Sequence, residues 1–256
     1  DSARSKVQEA AKLVSRGGAD VVVRINRPWR LAMKDLEAVV SPLVNALALP
    51  KVDSADHVRF VDEVVSELEL ERGMEVGSTK FIVMVETARA FFRAEEIARA
   101  TDRVVALTLG AEDFALSVGM LPQPEALLYP KMRILIAARS AGVLPLGIVG
   151  TIAEYDDPEA FRKVVRRSRK LGFVGASAIH PNQVPILNEE FSPTEAEVGY
   201  ARRVIAAYEE AQATGRGSTS VDGKMIDAPI VERAKMVLRL HEAIRRREAR
   251  AQLSDA

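Results

Sequence analysis

The feature that most limits how this chain can fold is its repeated alternation of short, β-branched apolar runs with longer amphipathic, charged segments. ADVVVRIN, ALALPKV, FIVMVET, VVALTLGAED, PLGIVG and GASAIHPNQ are too short for buried helices and read as strands. Between them, Ala3 to Arg16, Asp35 to Leu47, Asp56 to Arg72, Ala88 to Ala100, Tyr129 to Ala141 and Pro158 to Leu171 carry helical periodicity, with Gly17-Gly18 and Gly142 as stops. Strands separated by helices form a parallel sheet, because a parallel connection must cross over the sheet and a helix supplies that crossover. Such strands are expected to be buried on both faces. Six strands fall short of the eight that a closed barrel needs. The sheet is therefore either open and doubly wound, or a TIM (β/α)8 barrel lacking its N-terminal strands in this chain. The second is the expectation: a (β/α) barrel over residues 1–190, then a C-terminal helical extension and lid over 191–256. In that extension Thr194 to Ala213 and Ala228 to Ala251 are helical, joined by a Gly/Ser loop and the turn-bearing VDGKMID.

Composition removes several classes of function. The 36 basic and 36 acidic residues cancel, so no net field draws nucleic acid or an anionic membrane. The longest apolar stretches, around Ile134 to Ala138 and Ala141 to Ala153, are interrupted by Arg139 and are too short to span a bilayer. Zero cysteines exclude disulfides, thiolate metal sites and cysteine nucleophiles, which suits a cytoplasmic location. At 256 residues and 48% hydrophobic content the chain can build one large core. It opens on DSARSKVQEA without an initiator methionine, which points to a truncated start.

A barrel gathers the residues at the C-terminal ends of its strands around one mouth. Here these are Arg24 and Asn26, Lys51, Glu86, Asp113, and His180 with Asn182 and Gln183. Glu86 and Asp113 follow neighbouring strands. Each either caps a helix or pairs with an arginine, or the two share a cation. Two converging carboxylates repel each other, whereas Mg²⁺ accepts one or two carboxylates and completes its shell with water and substrate oxygens. Arg24 offers a planar fork to a substrate carboxylate, or a salt bridge inside the barrel. His180, before a proline, supports neither a zinc site nor a triad by itself, and Ser177 lacks a G-x-S-x-G context. LGAED matches no phosphate loop or dinucleotide fingerprint. His57 and His241 fall in charged helices and read as solvated. Arg27, Trp29, Arg30 and Lys34 present cations and an aromatic surface to a phosphorylated ligand, or form an ordinary exposed loop.

RIN, LPKV, VET, LGAEDFA, GFVGASAIHPNQ, F-x-P-T-x-x-E and DGKMID occur in this order, from about residue 19 to about residue 240. Together they resemble the HpcH/HpaI aldolase/citrate lyase β-subunit-like family, which includes the malyl-CoA and citramalyl-CoA lyases. The resemblance implies a TIM barrel, a homotrimer or hexamer, and Mg²⁺-dependent cleavage or formation of a carbon–carbon bond in a β-hydroxyacyl-CoA through a metal-stabilised enolate. It implies Glu86 and Asp113 as metal ligands, and Arg24 as the residue that holds the substrate carboxylate or carbonyl. Asp227 is implied as an acid delivered from the lid of an adjacent subunit, with the glycines at 215, 217 and 223 as joints, and His180 as a contact near the thioester. The partners are then an acyl-CoA thioester and a small keto acid. Three departures stand out: Asp1-Ser2 resembles the end of an acidic strand motif whose first part is missing, Ala176 replaces a common Lys or Arg, and Val149 replaces a common aspartate. The competing activities are thioester hydrolysis, a malate-synthase-like reaction, and non-catalytic ligand binding.

Overall fold

The computed structural model of the chain describes residues 2–150 and 157–254. Five apolar runs become strands Val22–Arg24 (β1), Ala46–Leu49 (β2), Lys80–Val85 (β3), Val104–Leu109 (β4) and Leu144–Leu146 (β5). They pair in parallel in the order in which they occur along the chain. The segments before and between them form Ser2–Val14 (α1), Trp29–Val39 (α2), Ala55–Glu71 (α3), Ala88–Phe91 (α4), Ala94–Ala98 (α5), Ala111–Val118 (α6) and Pro124–Ser140 (α7). Parallel crossovers are almost always right-handed, so a sheet whose order never reverses collects its helices on one face. Accordingly α1 packs on α2, α2 on α3, α3 on α5 and α5 on α7. A doubly wound sheet would need a reversal of strand order, and β1 to β5 have none. The winding is that of a TIM barrel, while the described strands form an open run of five rather than a closed ring.

Several elements differ from the sequence expectation, each for a local reason. The sixth strand shrinks to a single bridge between Leu146 and Gly175; beyond it the chain turns through Pro181 into a helix over Gln183–Phe191 (α9) that periodicity does not predict. GAED leaves the sheet, so Asp113 stands in the first turn of α6 rather than on β4. Helix α2 starts at Trp29, where Pro28 fixes the entry, and ends at Val39. Pro124 at the first turn likewise starts α7 earlier than expected. The helix after β3 breaks in two at Phe92–Arg93, with Thr87 capping its first part through a bond from the Ala90 N–H. Burial is complete on only one face of β3: Phe81, Val83 and Val85 are fully buried, while Lys80, Ile82 and Met84 on the face without helices are half-buried. Asp1 and residues 151–156, which include part of the Ala141 to Ala153 stretch, lie outside the described residues.

The N-terminal edge of the sheet is tied by one buried ion pair. Arg103, just before β4, donates from its two terminal nitrogens to the two oxygens of Glu69 on α3, at 2.9 and 2.7 Å. It also reaches the Thr79 carbonyl at 3.0 Å, the Ser66 hydroxyl at 2.8 Å and the Asp62 carboxylate. Glu69 further accepts from the N–H groups of Gly77 and Thr79, at 2.8 and 2.7 Å, which fixes the loop that enters β3. Burial pushes the Glu69 carboxyl up, yet the bonds from Arg103, Thr79 and Gly77 outweigh it and hold the carboxyl down at about 2.

From Asn188 onward the chain forms a second unit. Thr194 and Glu197 close a capping box on Glu195–Ala213 (α10), counting Pro158–Leu171 in the first unit as α8. An antiparallel hairpin, Thr219–Val221 (β6) and Lys224–Ile226 (β7), leads into Ala228–Ser254 (α11). Asp222 and Gly223 turn it with φ of 50° and 74°, so Gly223 serves a tight turn. Val204, Val221, Ile226 and Val231 form this unit's core. Among the described residues no helix is long and apolar enough to cross a membrane.

Because the folded pKa of Glu69 is depressed from 4.5 to about 2, its contribution is full above pH 4.5 and is lost as pH falls through about 2, amounting to ~3 kcal/mol at neutral pH. Glu69→Gln is expected to lower the unfolding free energy by about that amount at pH 7, with the gap to wild type roughly halved at pH 3 in urea titrations. An equal gap at both pH values would rule out the carboxylate charge as its source.

Candidate functional site

Parallel register decides which residues share the C-terminal edge. Leu49 pairs with Val83 and Val85 with Leu109, so the chain leaves β2, β3 and β4 through Lys51, Glu86 and Gly110. Gly110 donates its N–H to the Val85 carbonyl at 3.0 Å and begins α6. A Cβ there would lie 2.5 Å from Glu86 Cγ and 2.7 Å from Glu86 Oε1. Only a glycine lets the Glu86 side chain lie across this turn.

Glu86 is 5% exposed. Its Oε2 accepts the Lys51 backbone N–H at 2.5 Å, and among the described residues no hydrogen bond is made to Oε1. Burial raises its carboxyl above the ordinary range; the Lys51 N–H opposes this, the charge of Asp113 adds to it, and the charges of Lys51 and Arg24 oppose it. Asp113 is half exposed, in the first turn of α6 where the helix dipole favours a negative charge. Its Oδ1 meets Lys51 Nζ at 2.9 Å, and that hydrogen bond raises the Lys51 pKa. Lys51 thus touches both acids, one through its backbone and one through its side chain. To do so it adopts φ of 49°, a left-handed backbone uncommon for a lysine. Arg27 supports it by donating from Nε to the Lys51 carbonyl at 3.0 Å.

These two acids fit a hard divalent cation. Among the described residues Glu86 keeps an oxygen that no donor uses, Asp113 already binds a positive group, and the charge of Asp113 acts on Glu86. Among the described residues no cluster of three or more His, Asp or Glu surrounds a common point. Mg²⁺ needs no more than two carboxylates, because water and substrate oxygens complete its octahedron. Arg24, exposed at the end of β1, lies within electrostatic reach of Glu86. The structure thus brings Glu86, Asp113 and Arg24 to one edge and adds Lys51 and Gly110. The sequence marks Lys51 only as a polar strand end, and the signal for Gly110 is a glycine placed directly after a buried strand and before two acids.

The remaining sequence candidates have local partners of their own. His180 builds a turn: its Nδ1 accepts the Asn182 N–H at 3.2 Å, and the buried Gln183 side chain accepts the Ile179 and His180 N–H groups at 2.9 and 3.3 Å. Asp227 belongs to the second unit, where its Oδ1 accepts the Ile230 N–H at 3.4 Å at the start of α11. His57 is not solvated. Its ring lies 4.7 Å from Trp29, its buried Nδ1 meets no hydrogen-bond partner among the described residues, and burial followed by the Arg27 charge pushes its pKa down to about 4. Trp29 is also packed edge-on to Phe60 at 4.8 Å and lies 5.1 Å beneath Arg27, so this loop spends its aromatic surface on bracing Arg27. Val149 is buried, and its N–H donates to Ser168 Oγ at 2.8 Å. Next to it the buried Lys131 donates to the carbonyls of Ile148 and Gly150, with burial lowering its pKa to about 8; a lysine inside a helical pattern gave no sequence signal for this.

Comparison with known proteins places this chain in a family. Citrate lyase subunit beta from Leuconostoc mesenteroides subsp. cremoris is 37% identical over 95% of this chain and 81% of its own length. L-malyl-CoA/beta-methylmalyl-CoA lyase from Cereibacter sphaeroides is 33% identical over 94% of this chain and 82% of its own. Among solved structures, CitE from Mycobacterium tuberculosis in complex with magnesium, acetoacetate and coenzyme A superposes with a TM-score of 0.67 at 29% identity, covering 86% of this chain and 78% of that one. A citrate lyase from Burkholderia xenovorans shares the fold, with a TM-score of 0.74 at 21% identity over 93% of this chain and 80% of that one. With the family's own model matching residues 1–181, the chain belongs to the HpcH/HpaI aldolase/citrate lyase family.

Proposed function

We propose that this protein is a Mg²⁺-dependent carbon–carbon lyase that cleaves or forms a β-hydroxyacyl-CoA of the malyl, citramalyl or citryl type. The observation that carries this is the buried Glu86, with Oε1 open, beside Asp113 at one sheet edge, in a chain similar to citrate lyase β subunits and malyl-CoA lyases. Glu86 and Asp113 hold the metal. When bound, Mg²⁺ supplies a Lewis acid that polarises the oxygen next to the breaking bond. Arg24 binds the carboxylate of the keto-acid half through its guanidinium fork. Gly110 keeps the Glu86 oxygen accessible. Asp227 moves the proton at the thioester carbon; its second carboxylate oxygen accepts no hydrogen bond among the described residues. It reaches the site from a neighbouring subunit of a homotrimer or hexamer, so that closure couples protonation to exclusion of water.

A panel of malyl-, citramalyl- and citryl-type thioesters incubated with Mg²⁺ is expected to yield a keto acid and a shortened acyl-CoA. Release of free thiol instead would identify hydrolysis. Glu86→Gln and Asp113→Asn should each weaken Mg²⁺ binding at least tenfold to a hundredfold, the cost of even an outer-shell partner, with the fold retained by circular dichroism; unchanged affinity would remove the site. Asp227→Asn should keep Mg²⁺ affinity and lose about 10² to 10⁴ in kcat, the range of general acid–base catalysis.

Gly110→Ala introduces a Cβ within 2.5 Å of Glu86 Cγ. Overpacking of this kind costs ~1–3 kcal/mol, and the displaced Glu86 should weaken Mg²⁺ binding about tenfold, read by titration calorimetry. Wild-type affinity in that variant would show that the glycine does not position the acid.

A further inference from the structure

We infer that Lys51 is the exchangeable cation of this site: its ammonium holds Asp113 until Mg²⁺ takes that carboxylate, and the displaced ammonium then positions an anionic oxygen of the substrate. This rests on the proposed reading of Glu86 and Asp113 as the Mg²⁺ ligands, and it adds a residue that the reading does not need.

The geometry separates the two ends of Lys51. Its backbone N–H holds Glu86 Oε2 at 2.5 Å and its carbonyl accepts from Arg27 at 3.0 Å. Any residue other than proline offers both groups, so the anchoring of Glu86 makes no demand on the side chain. The backbone angle does make a demand, and it favours glycine or asparagine over lysine at φ of 49°. The lysine is therefore present for its ammonium, whose partner among the described residues is Asp113 Oδ1 at 2.9 Å.

That ion pair is built to be broken. Both side chains are nearly half exposed, at 49% and 44%, and exposed pairs are weak. A divalent cation and an ammonium compete for one carboxylate oxygen, because at contact distance their positive charges repel. Mg²⁺ carries twice the charge and gains Glu86 as a second ligand, so it wins Asp113. The lysine stem is flexible and anchored at its Cα, so the released Nζ stays at the same edge, where the bound keto acid brings new negative charge. Apo and loaded sites then each carry a cation against Asp113, and neither state leaves the two acids facing each other unneutralised.

The test is calorimetric titration of Mg²⁺ into the full chain, with KM for the keto acid measured in the condensation direction. Lys51→Met and Lys51→Gln remove the competing charge and should tighten Mg²⁺ binding about threefold to tenfold while raising KM for the keto acid about tenfold or more. A merely structural role predicts weaker or unchanged metal binding. Lys51→Arg keeps the charge and should leave Mg²⁺ affinity within about twofold of wild type. In a Lys51→Met, Asp113→Asn double variant the tightening should vanish, because the contested carboxylate is gone. If Lys51→Met and Lys51→Gln fail to tighten Mg²⁺ binding while Asp113→Asn loses it, the exchange is overturned and the metal site stands. If Asp113→Asn binds Mg²⁺ as wild type does, the metal site itself falls, and the exchange with it.

Discussion

Because β2, β3 and β4 pair in parallel with Leu49 beside Val83 and Val85 beside Leu109, three chain exits stand in a row at one end of the sheet. Everything chemical in the first unit depends on that register. A slip of one residue would reverse the alternation of β3, turning Phe81, Val83 and Val85 out of the core and carrying Glu86 away from the Lys51 N–H. The helices that fill one face of the sheet hold this register by burying those side chains, and the cost of burying Glu86 is borne by the same packing.

The two ends of the sheet treat a buried carboxylate in opposite ways. At the N-terminal end Glu69 is surrounded by donors, five groups counting the Ser78 hydroxyl, the Gly77 and Thr79 N–H groups and both terminal nitrogens of Arg103. At the C-terminal end Glu86 has one donor among the described residues. Burial raises the pKa of both groups, and the number of donors decides the outcome: Glu69 is driven low and Glu86 stays high. A fully satisfied carboxylate is a fixture, whereas one with an open oxygen retains affinity for something outside the chain.

Much of this was legible in the sequence because β-branched runs and amphipathic segments have different periods. The five parallel strands, the helices between them and the positions of Arg24, Glu86 and Asp113 near strand ends follow from that contrast and from the family motifs. The errors occur where a local turn competes with periodicity. Pro181 and the Gln183 side chain convert GASAIHPNQ from a strand into a turn and a helix, and Gly110 starts α6 early enough to move Asp113 onto it. Burial of His57 depends on Trp29, which is distant along the chain and close in space, so no local pattern carries it. Lys51 was visible as a polar strand end, but its backbone role depends on a φ value that residue type argues against.

That left-handed lysine also bears on how this protein can be improved. A non-glycine residue in such a conformation costs on the order of 1 kcal/mol or more, so replacing Lys51 with glycine removes strain and leaves both of its backbone bonds possible. Selection for heat resistance alone would therefore favour discarding the lysine, as stabilising changes often do at strained functional positions. Thermostable variants of this chain are better sought at its exposed helix surfaces, with position 51 held fixed.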